Sequence, residues 1–321
     1  MSNPRYGIRA TALALATASA GCGGSGTSQP PLPLSESNAT SVAAEALIFT
    51  ELPADSQIGG IMPGVAAGLR SLDPGPVQWL TALATGPQNV DGTVTNPCDV
   101  SGTVTVTTAG TTTTITFTNC MDNTSSTLNG TLRSTRQTSS TSNQISTTVS
   151  FNLTGTQGSQ TFAESGGYTE LRTLGQTSSD PTESELTGDS FSMSFSVDGK
   201  LRDQVTMSSF DIDTLEQLTP TEQHVEHFTY EVDSSRLRGH IGVMTTQDLK
   251  TGLNVFPFTG QILISGANHT RLQITVLGDE IFMPPAGQGQ LELQIDPGTG
   301  TFGAPIWANW LTLSALATIE R

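Results

Sequence analysis

Residues 98–120 read CDVSGTVTVTTAGTTTTITFTNC, and this stretch decides the fold class. Apolar residues alternate with threonines on both sides of Ala109-Gly110, which predicts two β-strands joined by a tight turn. A turn at Ala109-Gly110 pairs Val104 with Ile115 and places both side chains on one face. The stretch therefore predicts an antiparallel hairpin with an apolar face and a polar, weakly charged face.

The two cysteines that bracket this hairpin do not fit the same register. With the turn at Ala109-Gly110, Cys98 points away from Cys120. One extra residue, as a β-bulge at Gly102 or Asn119, brings the two side chains together. A disulfide that closes a loop of this length is worth about 3 to 4 kcal/mol in the chain-entropy model. We expect the Cys98–Cys120 disulfide, and two unpaired thiols are the alternative.

The same period of two continues along the chain. It occurs in QISTTVSFNLTG (144–155), GQILISGA (260–267), TRLQITVLG (270–278) and QLELQID (290–296), with Gly, Asn, Asp and Pro between the segments. This pattern predicts an antiparallel meander of about a dozen strands. We therefore expect a mainly β protein whose meander forms a curled sheet, a half barrel or a sandwich.

A second hairpin is predicted in FSMSFSVDGKLRDQV, residues 191–205. A two-residue Asp-Gly turn would place Phe195 opposite Arg202. A three-residue loop at 197–199 instead pairs Phe195 with Leu201, which keeps the apolar side chains together. The apolar match favours the longer loop.

The composition divides the chain into regions. We expect a signal peptide at 1–21, a flexible Gly/Ser/Pro tether at 22–40, a short helical segment at 41–86 and an antiparallel β domain at 87–321. A polar, acidic stretch at 176–188 either separates an earlier sheet from a later one or forms one long surface loop.

Helical spacing is found near the start of the chain. SVAAEALIFTEL (41–52) has apolar residues on one helical face, with Ser41 as a possible N-cap and Pro53 just beyond the end. Residues 62–72 and 76–84 add one or two short helical turns. One to three short helices are therefore predicted before the β domain.

The charge of the chain excludes two classes of partner. The formal net charge is −16 and the pI is about 4.4, and the only lysines are Lys200 and Lys250. Phosphate backbones would be repelled, so we expect no nucleic-acid partner. Electrostatic docking on anionic lipids needs clusters of Lys and Arg. A membrane attachment must therefore be covalent or apolar.

The first 22 residues predict export. Arg5 and Arg9 precede TALALATASA, an apolar stretch too short to span a bilayer but typical of a signal peptide. Ser19-Ala20-Gly21-Cys22 resembles a bacterial lipobox, with Ser19 where that family usually has Leu. Cleavage after Ala20 by ordinary signal peptidase is the alternative, and it would leave Cys22 as a free thiol.

Three observations favour acylation of Cys22. The chain has three cysteines, and pairing Cys98 with Cys120 leaves one over. Gly23 begins a Gly/Ser then Pro-rich tether, as an anchored domain requires. Two or three acyl chains hold a protein on a bilayer without basic residues. Gly at position 23 rather than Asp resembles outer-membrane sorting in the lipoprotein family.

Candidate metal ligands are found at the start of a predicted strand. His224-Val225-Glu226-His227 has two histidines three residues apart, which face opposite sides of a strand and converge only on a helix. Asp211 and Asp213 add nearby carboxylates. Because the following residues alternate, solvated polar side chains are the preferred interpretation. We expect no metal and no cofactor, with His224, His227, Asp211 and Asp213 as the weak candidates for a metal.

Two other motifs could indicate catalysis or calcium binding. Residues 188–191 read GDSF, similar to the nucleophile block of GDSL hydrolases, but that chemistry needs Ser190 on a strand-to-helix turn beside a histidine. The acidic residues at 180–189 lack the ligand spacing of a calcium loop. Neither motif supports a catalytic residue.

The chain also resembles uncharacterised bacterial outer-membrane lipoproteins. The likeness lies in the cysteine hairpin, in residues 257–276, in LQIDPGTG (293–300) and in IWANWL (306–311), which that group places in a final strand. Where the group has aspartates in the last turn, this chain has Pro297 and Thr299, which does not favour a calcium site. The resemblance implies an all-β body and no known activity.

We therefore expect a bacterial lipoprotein held at the outer membrane through acylated Cys22, on the periplasmic face or the cell surface. Its expected role is non-catalytic, as an envelope component or a binding module with an envelope protein partner. A carrier of apolar or lipid ligands in a half barrel is the first alternative, and a secreted hydrolase is the second. Removal of residues 1–21 would take away Arg5 and Arg9, so the mature net charge would be −16 − 2 = −18.

Overall fold

The computed structural model describes residues 29–47, 91–123, 126–139, 141–175, 177, 180–217, 223–251, 256–278 and 289–318. The predicted signal peptide, Cys22 and the predicted helical turns at 62–72 and 76–84 lie outside these residues. No helix among the described residues is long and apolar enough to cross a membrane.

In the part of the chain that the structure describes, fourteen strands form one antiparallel sheet, and each strand pairs with its neighbours in sequence. The first eight are β1 (Gly92–Pro97), β2 (Ser101–Ala109), β3 (Thr112–Asn123), β4 (Ser126–Ser139), β5 (Gln144–Gln157), β6 (Gln160–Thr173), β7 (Thr182–Val197) and β8 (Lys200–Gln217). The other six are β9 (Gln223–Ser234), β10 (Gly239–Thr251), β11 (Thr259–Ser265), β12 (Arg271–Val276), β13 (Leu291–Asp296) and β14 (Ile306–Ala308). The predicted mainly β meander is confirmed, and β1 does not pair with β14 to close it.

Among the described residues, two short α-helices accompany the sheet, α1 (Ala39–Leu47) and α2 (Trp310–Thr318). The N-terminal helix was predicted from Ser41, and it begins two residues earlier, at Ala39. The implied final strand through IWANWL (306–311) is wrong in its second half, because only β14 is extended and Trp310 begins α2.

The sheet curls around α1. Every α1 residue from Val42 to Leu47 is buried, and the hydroxyl of Tyr230 on β9 donates to the Ala46 carbonyl at 2.7 Å. The same helix also contacts β13 and α2. On a flat sheet, β9 and β13 would lie about 19 Å apart, too far for a helix of small residues to contact both. The meander is therefore one curled sheet with α1 on its concave, apolar face.

Glycine opposite aromatic rings contributes to this curvature. Gly166 on β6 lies between Phe151 on β5 and Phe191 on β7, whose ring centroids are 5.5 Å apart. A Cβ atom at Gly166 would lie 2.4 Å from the Ser190 carbonyl oxygen. Neighbouring backbone thus approaches more closely than another residue would allow, and such positions bend a sheet.

The cysteine hairpin has the predicted bulge but another register. Ala109 pairs with Thr112, so the turn lies one residue later than predicted, and Val104 pairs with Phe117 instead of Ile115. The pairing shifts by one residue around Gly102, where Asn119 has a φ of 47°. The turn prediction is wrong, and the bulge prediction is confirmed.

The loop predicted at residues 197–199 is also wrong. Val197 pairs with Lys200 across a two-residue turn, and Leu201 pairs with Ser196. The ladder then shifts, so that Phe195 faces Asp203. A bulge one pair beyond the turn corrects the mismatch that argued against a short Asp-Gly turn.

Candidate functional site

The chain enters the sheet at one defined end, which we call the entry end. It is formed by the turns at residues 197–200, 234–239 and 265–271. Leu32 lies across this end, because its N–H donates to the His240 carbonyl at 2.9 Å and its carbonyl accepts the Ala267 N–H at 2.8 Å. The far end of the sheet is where β4 ends at Ser139 and β10 ends at Thr251.

Further hydrogen bonds hold the same segment on both sides of Leu32. The His240 N–H donates to the Pro30 carbonyl at 2.9 Å, and the Gln29 N–H donates to Asp233 Oδ1 at 2.9 Å. The Leu34 N–H donates to Thr270 Oγ1, also at 2.9 Å. Residues 29–34 are therefore part of the folded body.

Two glycines make room for this segment. A Cβ atom at Gly266 would lie 2.2 Å from the Leu32 carbonyl oxygen, and one at Gly239 would lie 2.6 Å from the Leu32 Cβ. Both distances are far below van der Waals contact, so a side chain at either position would displace the segment. The entry end is shaped to receive residue 32.

Arg236 fixes both helices near the entry end. Its guanidinium pairs with Glu45 of α1 and donates to the Leu316 carbonyl of α2 at 2.6 Å. Glu45 also accepts from Ser234 Oγ at 2.7 Å. Burial raises the pKa of Glu45, and the neighbouring Arg236 charge partly offsets this effect. Arg236, which is partly buried, thus joins the β9–β10 turn to α1 through an ion pair and to α2 through a hydrogen bond.

The disulfide predicted between Cys98 and Cys120 is present. Both cysteines are buried, and their Cα atoms are 5.5 Å apart. The bond joins the chain just after β1 to β3. Because the chain has three cysteines, this bond uses all but Cys22.

Three of the four weak metal candidates lie near one another on the outer face of the sheet. Asp213 on β8 is directly opposite His227 on β9, and Asp211 is two residues away on the same face. Burial raises the pKa of Asp213, with further increases from Asp211 and Glu185 and an opposing effect of His227. His224 pairs with Glu216, and its side chain lies outside the described residues.

These residues do not assemble a metal site. In the part of the chain that the structure describes, no group of three or more His, Cys, Asp or Glu side chains is arranged to hold a metal ion. In the final turn, the Asp296 carboxylate is hydrogen-bonded within the protein. It accepts from the Arg271 guanidinium and from three successive backbone N–H groups at 298–300. These hydrogen bonds lower the pKa of Asp296 to about 2, and the bond from Arg271 contributes most. Its oxygens are already committed to the protein.

His227 also lacks the geometry of a catalytic base. Its Nδ1 lies 2.8 Å from Thr245 Oγ1 and 3.4 Å from Asp248 Oδ1. A hydrolytic triad needs the nucleophile and the acid on different ring nitrogens, and here both face the same one. Thr245 is buried and its hydroxyl also accepts the Phe228 N–H at 3.0 Å. Ser190 lies inside β7, between Gly167 and Ser208 on the flanking strands.

Glu226, between the two histidines, was interpreted as a solvated strand residue, and this is wrong. Its side chain is only 6% exposed and lies between Thr214 and Leu249 on the flanking strands. Its Oε1 has no hydrogen-bond partner in the described structure, and burial raises its pKa to about 8. The sequence did contain a signal for this burial. Glu226 is two residues from Phe228, and residues two apart on a strand share a face.

The outer face is covered by small hydroxyl and amide groups. One row crosses eight adjacent strands in register, and neighbouring hydroxyls in it form hydrogen bonds, as between Thr95 and Thr105 at 3.0 Å. Its members are Thr95, Thr105, Thr116, Thr131, Asn152, Ser165, Ser192 and Thr206. This uncharged polar surface explains how a chain with few charges can expose a large sheet to water.

Comparison of the chain with protein-family models, with curated proteins and with solved structures gives no match.

Proposed function

We propose that this protein is a bacterial outer-membrane lipoprotein, anchored through acylated Cys22, with a non-catalytic role in the cell envelope. The observation that carries the proposal is the Cys98–Cys120 disulfide. Disulfides persist in exported proteins, and this one leaves Cys22 as the odd cysteine behind an apolar leader. Acylation accounts for Cys22, because without it the residue would be an unpaired, reactive thiol in an oxidising compartment.

The position of the entry segment supports the same proposal. Gln29 is already held by the body, and it follows Cys22 by seven residues. An anchor at residue 22 would therefore lie only seven residue steps from a residue that the sheet holds.

The chemistry of the described side chains supports a non-catalytic role. His227 faces its two polar neighbours through one nitrogen, and Asp296 is saturated by hydrogen bonds. Ser190 lies mid-strand, between Gly167 and Ser208. A nucleophile with an oriented base, the requirement for a hydrolase, is not formed by these residues.

Metabolic labelling with a clickable fatty acid tests the anchor. Cells would express the wild-type chain, Cys22→Ala, and Ser25→Ala as a matched control in the same segment. We expect label on the wild type and on Ser25→Ala, in the outer-membrane fraction, and no label on Cys22→Ala. A mature wild-type protein whose mass corresponds to a start at Gly21 with an unmodified Cys22 would overturn the proposal.

A further inference from the structure

We propose that the entry end of the sheet faces the lipid surface and that the far end points away from it. This inference rests on the proposed acylation of Cys22 and adds which surface of the body meets the bilayer. The partner is a lipid surface, and the contact region is centred on the turns at 197–200 and 234–239.

The length of chain before the body limits the distance. Gln29 is seven residue steps beyond Cys22, and a fully extended chain over seven steps spans about 25 Å at most. Gln29 is bonded to Asp233 at the entry end. Gln29 and the Asp233 side chain that holds it therefore stay within about 25 to 30 Å of the acylated residue.

When the strands are perpendicular to the membrane, the far end of the sheet lies farther from the lipid than the entry end does. From Gly239 to Lys250, strand β10 advances eleven residues, or about 36 Å at the usual rise. A tilt that laid the strands on the membrane would bring the acidic body, with its mature net charge of −18, against anionic lipids. Repulsion disfavours that orientation.

The tip of the β7–β8 hairpin has the chemistry of a lipid contact. Lys200, Leu201 and Arg202 are consecutive and exposed, with 56% of Leu201 accessible to solvent. Asp198 and Asp203 balance the two cations, so this tip is neutral in a strongly acidic chain. An apolar side chain between two long cationic side chains suits the boundary between headgroups and acyl chains.

The two lysines provide a direct test, because Lys200 lies at the entry end and Lys250 near the far end. Acylated protein would be purified from membranes as Lys250→Arg, which keeps Lys200, and as Lys200→Arg, which keeps Lys250. Each is labelled with an amine-reactive donor dye and placed in vesicles of zwitterionic and anionic lipids that contain acceptor-labelled lipid. The double arginine variant measures the background from the α-amino group.

We expect much faster energy transfer from the dye on Lys200. Transfer to a plane of acceptors falls with about the fourth power of distance, so a separation of at most about 25 Å for Lys200 and of about 60 Å for Lys250 gives a rate ratio of at least about 30. Equal transfer from both positions, or faster transfer from Lys250, overturns the orientation. The mass of the N-terminal peptide is measured on the same sample: an unmodified Cys22 would overturn the anchor itself, whereas an acylated Cys22 with equal transfer would overturn the orientation alone.

Discussion

Replacing Glu226 by Gln should stabilise the protein, and increasingly so as the pH rises. The carboxyl is buried on the concave side of β9, and burial raises its pKa from 4.5 to about 8. The folded protein therefore retains this proton between pH 4.5 and 8, where the unfolded chain has released it. The stability that Glu226 contributes is fully present below pH 4.5 and is lost as the pH rises to about 8.

The size of the effect follows from the two pKa values. They differ by 8 − 4.5 = 3.5, and each pH unit between them corresponds to 1.36 kcal/mol, so the full loss is about 5 kcal/mol and the loss by pH 7 is about 3 kcal/mol. Gln keeps the shape and a carbonyl oxygen but does not ionise. Its own cost of burial is independent of pH and cancels when two pH values are compared.

Urea unfolding of the disulfide-intact protein at pH 4.5, 7 and 9 measures this effect. The free energy of unfolding of Glu226→Gln, relative to wild type, should rise by about 3 kcal/mol between pH 4.5 and 7 and by about 4 kcal/mol between pH 4.5 and 9. The matched control is Glu231→Gln, because Glu231 is exposed on the opposite face of the same strand. A pH dependence of Glu226→Gln that matches this control would refute the assignment of a buried, neutral carboxyl.

Three further changes test the fold. Asp296→Asn should lower the melting temperature at pH 7, and the difference from wild type should disappear as the pH falls from 3.8 towards 2, because the contribution of a carboxyl with a lowered pKa is lost in that window. Replacing Cys98 and Cys120 by Ser should lower the free energy of unfolding in urea by about 3 kcal/mol, and reduced wild type should match that variant. Arg236→Gln should cost about 3 to 5 kcal/mol in urea unfolding because Glu45 loses its cation, and the second change Glu45→Gln should restore part of that loss.

The fold class could be predicted from the sequence because a period of two is a direct record of which side chains share a face. The same record does not fix the pairing between strands. In the cysteine hairpin, moving the turn by one residue changes the partner of Val104 from Ile115 to Phe117, and both partners are apolar. A pattern that two registers satisfy equally well cannot distinguish them.

Bulges were the second limit on prediction. A bulge near Gly102 was predicted from the cysteine pair, and one is present there, but its extra residue lies on β3 and does not align Cys98 with Cys120 in the ladder. Beyond the Asp-Gly turn no cysteine pair constrains the register, and the shift that sets Phe195 against Asp203 has no signal in the residue pattern. Glu226 was missed for a different reason: its burial depends on the flanking strands, whereas its charge suggested water.

The path of residues 29–34 also has a mechanical consequence. Pro31 bridges His240 in parallel orientation, so the segment runs in the same direction as β10. A pull on the N-terminus along the strands would then load the five hydrogen bonds of this segment together, in shear, rather than opening them one at a time. The hydrogen bonds of residues 29–34 are therefore arranged to resist a force applied to the N-terminus along the axis of β10.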